Sequence, residues 1–356
     1  FSPFAPHFSR EAVFPVGSRL RRADRILPVF LPFAGCPGRC VFCAQEKITS
    51  VPRGEIPLRE ELENLHALME RCPGGESELA FFGGSFTAIE PERMDALLLA
   101  ARGYVDSGAV SGIRISTRPD CINRPVLERL KAAGVTAVEL GIQSTDDAVL
   151  CASGRGHTAQ DSRDACALVR AYGFSLVGQM MVGLPGSDMR KELQTARDIV
   201  GFGCDGARIY PTVVFSGTRL WELTRSGAYR PLDIGEAAER SAACLEIFVS
   251  AGVRVLRIGL HASESLAEAP FGPAHPAIGE LAESLLYRRR IAALLAGRPT
   301  AGRRLTLYVP PGAQSKAAGH KRANTDWLRK TFALAGVSIY PCADCAPYTV
   351  KTILEE

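Results

Sequence analysis

Short buried-type runs alternating with longer amphipathic stretches predict an α/β fold built on a parallel sheet. The candidate strands are 27–33, 78–82, 112–116, 135–142, 175–182 and 207–213, and none shows clean polar alternation. That is how strands covered on their faces read. The candidate helices 58–70, 91–104, 124–133, 159–171 and 189–202 separate those strands, giving a strand–helix series. Nearly every strand runs into a Gly, Pro or polar cluster, and in such sheets ligands bind at the carboxyl edge of the strands. An open doubly wound sheet and a barrel both satisfy this pattern.

The chain has 356 residues, 46% of them apolar and 22% charged, which suits a packed globular core. Its eleven cysteines are too sparse for a disulfide-stapled secreted fold and predict a reducing, cytoplasmic setting. No apolar run reaches membrane-spanning length, so no membrane is expected as a partner. Residues 1–24 lack the order of a signal peptide and read as an N-terminal extension.

The first strand ends in Cys36-Pro-Gly-Arg-Cys40-Val-Phe-Cys43. Thiolates bind zinc and iron–sulfur clusters, but a structural zinc takes four protein ligands and no fourth Cys or His lies close in sequence. Three thiolates on a [4Fe–4S] cluster leave one iron open. Gly35, Pro37 and Gly38 let the loop wrap tightly. The second strand ends in Gly83-Gly84-Ser85-Phe86-Thr87, where glycines allow close backbone approach to a ligand. The third ends in Ser116-Thr117-Arg118-Pro119-Asp120, and Arg118 suits a carboxylate ligand or a pair with Asp120. The fourth carries Glu139 inside an apolar run, a position that demands a partner, and ends in Gln143-Ser144. Arg155 precedes a helix for which Thr158 is the expected N-cap. The fifth and sixth strands present Gln179 and Tyr210.

The C-x₃-C-x₂-C loop with Phe42 before its last Cys, followed by these strand-end motifs, resembles the radical S-adenosylmethionine (SAM) superfamily. Residues 25–260 are most similar to the branch holding the Elongator catalytic subunit and its shorter bacterial relatives. The resemblance implies a partial (β/α)6 TIM-like barrel over 25–260, with a small basic α/β appendage over 261–356. It implies a [4Fe–4S] cluster on Cys36, Cys40 and Cys43, and SAM held by Phe42, Gly83, Gly84, Ser85, Thr87, Ser116, Arg118, Gln143, Arg155, Gln179 and Tyr210. It further implies an external one-electron reductant, reductive cleavage of SAM and a 5′-deoxyadenosyl radical that takes a hydrogen atom from substrate. No residue is assigned as a substrate-side catalyst; His261 and His275 are polar-loop histidines with an ordinary surface reading.

After the barrel the chain departs from the Elongator subunit. No glycine-rich loop for coenzyme A is visible, so acetyl transfer is not expected of these residues. Further elements are expected at 217–226, 234–251, 253–260, 277–296, 305–309, 321–335 and 337–340. Residues 286–330 hold eleven Lys/Arg and one acid, about +10, against a net charge of +4 for the chain. A polyanion is the expected partner, with Lys316, His320, Lys321 and Arg322 at a helix start as phosphate contacts. The first functional expectation is therefore modification of an RNA base, tRNA foremost. The alternatives are radical chemistry on a small molecule or peptide, and an iron–sulfur RNA-binding protein without turnover. Cys342 and Cys345 are expected to be a structural thiol pair.

Overall fold

The computed structural model describes residues 25–38, 40–49, 56–71 and 76–355; the N-terminal extension 1–24 and Cys72 lie outside them. The chain begins with β1 (Arg25–Leu31), α1 (Gln45–Thr49) and α2 (Leu58–Glu70). It continues through β2 (Ser77–Gly83), α3 (Pro91–Asp106), β3 (Gly112–Thr117) and α4 (Arg124–Ala132). Then come β4 (Val135–Gln143), α5 (Asp147–Ala152), α6 (Ala159–Ala171), β5 (Ser175–Val182) and α7 (Met189–Gly201). β6 (Gly206–Pro211), α8 (Arg219–Arg225), α9 (Ile234–Ser250) and β7 (Arg254–Ile258) complete the main unit. Its sheet is parallel and in sequence order from β1 to β7, an open curled half-barrel. The expected six-strand partial barrel is present, and β7 extends it to seven.

The two faces of this sheet differ, and the strand period of two fixes which residue faces which way. Ile113 and Ile115, Val138, Leu140 and Ile142, Leu176 and Met180, and Ala207 and Ile209 belong to the main apolar core. Their neighbours Arg114, Ser116, Glu139, Gln143, Gln179, Arg208 and Tyr210 therefore project from the other face. Most of these are buried too, so the alternation is chemical and invisible in burial alone.

Helix starts are pinned by side-chain caps. Asn123, Asp146, Thr158, Asp188, Thr218 and Asp233 each accept a hydrogen bond from a first-turn N–H. Thr158 forms the expected cap, within a capping box completed by Asp161. Caps of this kind are worth about 1 kcal/mol each and set where a strand-end loop stops.

Beyond β7 lie α10 (Glu264–Ala267), α11 (Ile278–Leu295), β8 (Arg304–Val309), α12 (Gln314–Ala318), α13 (Ala323–Thr331), β9 (Gly336–Pro341) and β10 (Lys351–Glu355). The last three strands form a separate sheet ordered β10–β8–β9, with β8 and β9 parallel and β10 antiparallel. Helix α11 serves both units: Ile278 and Leu286 join the main core, while Tyr287, Ile291 and Leu295 join that of the small sheet.

Two expectations are corrected here. The basic helix begins at Ala323 rather than residue 321, because Lys321 and Arg322 adopt left-handed backbone, φ 49° and 67°. β10, which closes the small sheet, has no counterpart among the expected elements.

Candidate active site

The cysteine loop leaves β1 at the carboxyl edge and is fastened to its surroundings by backbone. Cys36 N–H donates to Phe33 O at 2.9 Å, Ser85 N–H to Ala34 O at 2.7 Å, and Val41 N–H to Ser153 O at 3.0 Å. Leu220 N–H donates to Val41 O at 2.8 Å, and Lys47 Nζ reaches Ser216 O and Oγ at 2.8 Å each. The loop is thus held by β2, by the segment after β4 and by the segment after β6.

Gly84 shows why this arrangement needs glycine. A Cβ there would lie 2.0 Å from Ala34 O, and one at Gly35 would lie 2.5 Å from Ser85 O. The Gly83–Gly84 turn therefore receives the cysteine loop itself, a packing role that sequence alone does not distinguish from ligand approach. A narrow crevice beside it, with no room for a water-sized sphere, is lined by Leu31, Ala34, Gly84, Ser85 and Ser116, among others.

Cys40 is buried and Cys36 and Cys43 half-buried. Burial and the adjacent Cys40 and Cys36 thiols push the Cys43 thiol up to about 11, while Gln45 opposes them. Among the described residues, no three Cys, His, Asp or Glu side chains are grouped to hold a single metal ion. Arg155 Nη1 donates to Cys40 Sγ at 3.4 Å and Nη2 to Gly141 O at 2.5 Å. A buried guanidinium beside soft thiols suits an anionic thiolate-bound cluster.

Next to it lie unsatisfied buried polar atoms. Gln143 Oε1, Arg155 Nε, His157 Nδ1 and Ser153 Oγ have no protein partner. Gln143 also holds φ at +66°, a conformation costly for a side-chain-bearing residue. Burial and then Arg155 depress His157 to about 4, so it is neutral, with Nε2 at 3.3 Å from Ile142 O. Such orphans are rare in finished cores and mark a place where a polar ligand completes the bonding. The residues present therefore fit a cluster and a polar cofactor. His157, given no role by the sequence, belongs to this group; its only signal was adjacency to Arg155.

The other expected residues are distributed around this centre. Ser85 Oγ lies 3.3 Å from Thr117 Oγ1, Thr87 Oγ1 lies 2.7 Å from Thr117 Oγ1, and Arg118 N–H donates to Ser85 Oγ at 3.1 Å. Arg118 is buried and makes a bidentate pair with Asp120 at 2.9 and 2.7 Å. Phe42 is half-buried in the loop. Gln179 Nε2 donates to Glu139 Oε2 at 2.9 Å and lies 3.4 Å from Ser116 Oγ. Burial raises the Tyr210 phenol, and Arg208 opposes that shift.

Glu139 has the partners its burial demands. Arg208 donates to it at 2.8 and 3.0 Å, and Arg114 at 3.2 Å while also pairing with Glu78. Burial alone would raise the Glu139 carboxyl, but the Arg208 and Arg114 charges outweigh it and hold the group below the usual range.

His275 Nδ1 accepts from Ala277 N–H at 3.1 Å, and burial with the nearby Arg257 and Arg208 cations lowers the His261 imidazole. Cys345 Sγ lies 3.7 Å from Tyr308 O. In the appendage, Lys316 pairs with Glu283 at 2.5 Å, whereas His320, Lys321 and Arg322 are exposed. No helix among the described residues is long and apolar enough to cross a membrane.

The Radical SAM superfamily model matches residues 30–199, and the Radical_SAM C-terminal domain model matches 204–288. A tRNA uridine(34) acetyltransferase of Dehalococcoides mccartyi is 29% identical over 234 residues, 56% of this chain and 51% of that protein. Elongator complex protein 3 of Mus musculus is 32% identical over 202 residues, 51% of this chain and 37% of that protein. The chain therefore spans about half or less of these relatives. Among solved structures, archaeal Methanocaldococcus infernus Elp3 with an N-terminal deletion superposes with a TM-score of 0.58 at 24% identity. That match covers 74% of this chain and 63% of that one and speaks to the fold.

Proposed function

The chain belongs to the radical SAM superfamily, whose enzymes use a [4Fe–4S] cluster and SAM, and we propose that this one modifies a base in RNA, with tRNA the foremost substrate. The observation that carries the chemistry is the meeting of three thiols, a buried Arg155 and the orphaned atoms of Gln143 and His157 at one sheet edge.

In this reading Cys36, Cys40 and Cys43 hold the cluster, and Arg155 offsets its negative charge at Cys40. Gln143 offers an acceptor and Arg155 Nε a donor to a polar cofactor. The Ser85–Thr87–Thr117 hydroxyl group sits one strand away and supplies further acceptors. Ser116, Arg118, Gln179 and Tyr210 frame the same face, with Arg118 fixed by Asp120 and Gln179 by Glu139. Phe42, Gly83 and Gly84 shape the loop that carries the thiols. When bound, the cluster and SAM supply one-electron cleavage and a 5′-deoxyadenosyl radical for hydrogen-atom abstraction. Residues 25–260 form the catalytic unit and 261–356 an RNA-facing appendage, in a cytoplasmic protein served by an external one-electron reductant. Support for RNA comes from the tRNA-directed names of the relatives and from exposed Lys321 and Arg322 beside exposed His320.

The test is anaerobic reconstitution with iron and sulfide, then optical and EPR spectra with and without SAM for wild type and Cys40→Ala. A SAM-perturbed cluster signal and 5′-deoxyadenosine are expected from wild type only. Adding bulk tRNA should yield a nucleoside of altered mass; its absence, with 5′-deoxyadenosine still formed, refutes RNA and returns the substrate to a small molecule or peptide.

A further inference from the structure

The basic stretch 286–330 is not one patch once its ion pairs are drawn. Arg288 and Arg289 both bind Glu239, Arg290 binds Glu246 at 2.7 Å, and Lys316 binds Glu283 at 2.5 Å. Those four cations fasten α11 and α12 against three carboxylates, Arg288 and Arg289 sharing Glu239, so most of their charge is offset where they stand. Of the exposed cations of this stretch without an acidic partner among the described residues, Arg304 starts β8 and the other four gather elsewhere: Lys321 and Arg322 between α12 and α13, and Arg329 and Lys330 along α13. Exposed His320 joins them, and Asp326 is the one acid on that helix.

The connection bearing Lys321 and Arg322 is built, not merely exposed. Gly319 has φ +81°, and a Cβ on it would lie 2.7 Å from Asn324 N. Asn324 is buried; its amide donates to Ser284 O at 2.7 Å, Ala317 O at 3.2 Å and Lys316 O at 3.4 Å. It thereby ties α11, the end of α12 and the start of α13 together. Lys321 and Arg322 are then held left-handed in succession, where glycine would be the unstrained choice. Charged side chains occupy the two positions where the fold itself favours having none. α13 packs on β9, and β9 is the edge strand of the small sheet, with β8 its one strand partner among the described residues. KH-type modules clamp about four nucleotides of RNA backbone with a GXXG loop; the loop here, Gly319-His320-Lys321-Arg322, is led by Gly but carries Arg322 where that motif has its second Gly.

We propose that residues 304–341 form a clamp for the sugar–phosphate backbone of a single-stranded RNA segment. His320, Lys321 and Arg322 meet the phosphates, Arg329 and Lys330 extend the track, and the open edge of β9 faces the bases. Edge-strand donors and acceptors reach Watson–Crick edges only where bases are unpaired, which selects single strands over duplex. This proposal rests on the RNA reading given above and adds which RNA structure is held and where.

The test is fluorescence anisotropy of the full chain with a labelled single-stranded RNA and with its blunt duplex, each over a salt series. Wild type should bind the single strand at least tenfold more tightly. Lys321→Gly with Arg322→Gly relieves the left-handed backbone, so the variant should fold with an undiminished Tm. It should bind the single strand about tenfold more weakly, with a salt slope shallower by about 1.4 for two lost phosphate contacts. Equal affinity for duplex and single strand, or a folded glycine variant that binds like wild type, overturns the clamp and leaves the RNA reading standing. No binding of either RNA even at low salt overturns both.

Discussion

Replacing Glu139 by alanine tests whether the buried charge network holds the sheet's polar face together. Arg208 loses both of its carboxylate contacts at 2.8 and 3.0 Å, while Arg114 keeps Glu78. Opposite unit charges about 4 Å apart interact by about 4 kcal/mol at an effective dielectric near 20. Breaking a buried pair by removing one partner costs about 3–5 kcal/mol. Both routes predict a loss of about 3–5 kcal/mol, read as a lowered urea midpoint at unchanged m-value. The pH dependence follows from the same contacts. Because the folded carboxyl is held below its ordinary value, the stabilisation is full above the unfolded carboxylate range and is lost as pH falls through the folded one. Glu139→Ala should flatten that acid limb. The double change Glu139→Leu with Arg208→Met should recover most of the loss, since it leaves no unpaired Arg208 cation. A single-variant loss below about 1 kcal/mol, or a double variant no better than the single, refutes the reasoning.

Gly84→Ala sets a Cβ 2.0 Å from Ala34 O, so cluster content after reconstitution should fall severely while far-UV circular dichroism is largely retained. Gln143→Gly relieves the φ of +66° and should raise stability by about 1 kcal/mol, yet weaken SAM binding measured by calorimetry on the reconstituted protein. His157 is depressed to about 4 from 6.5, so its neutral form is the one the fold accommodates. Its share of stability is full above about pH 6.5 and lost on descent towards 4, about 2–3 kcal/mol by pH 4.5; His157→Gln should remove that dependence in urea titrations. Thr158→Ala breaks the capping box and should cost about 1 kcal/mol.

The main sheet was legible because its strands are buried apolar runs between capped helices, and the cysteine loop because three thiols in eight residues have few other uses. β7 was harder to assign to that sheet: Arg254 and Arg257 interrupt the run, and Arg257 is satisfied locally by Gly259 O and Leu260 O. β10 escaped because Lys351–Glu355 is short, charged at both ends and paired across a long sequence separation with β8. The two-sided chemistry of the large sheet was hidden as well. Arg114, Arg208, Glu78 and Glu139 are buried only because they neutralise one another, a fact of spatial register and not of any local pattern. Likewise nothing local announced left-handed backbone at Lys321 and Arg322, since neither is Gly or Asn. Gly319 was the one hint that the chain turns there.

Helix α11 runs unbroken for 18 residues, about 27 Å at 1.5 Å per residue. One half is cemented into the barrel core and the other into the core of the small sheet, with Arg288, Arg289 and Arg290 bolted to α9. Such a helix is a strut, and a strut is also a ruler. Whatever grips the small sheet stands at a fixed offset from the barrel mouth. Reach, as much as chemistry, then decides which atom of a long substrate meets the site.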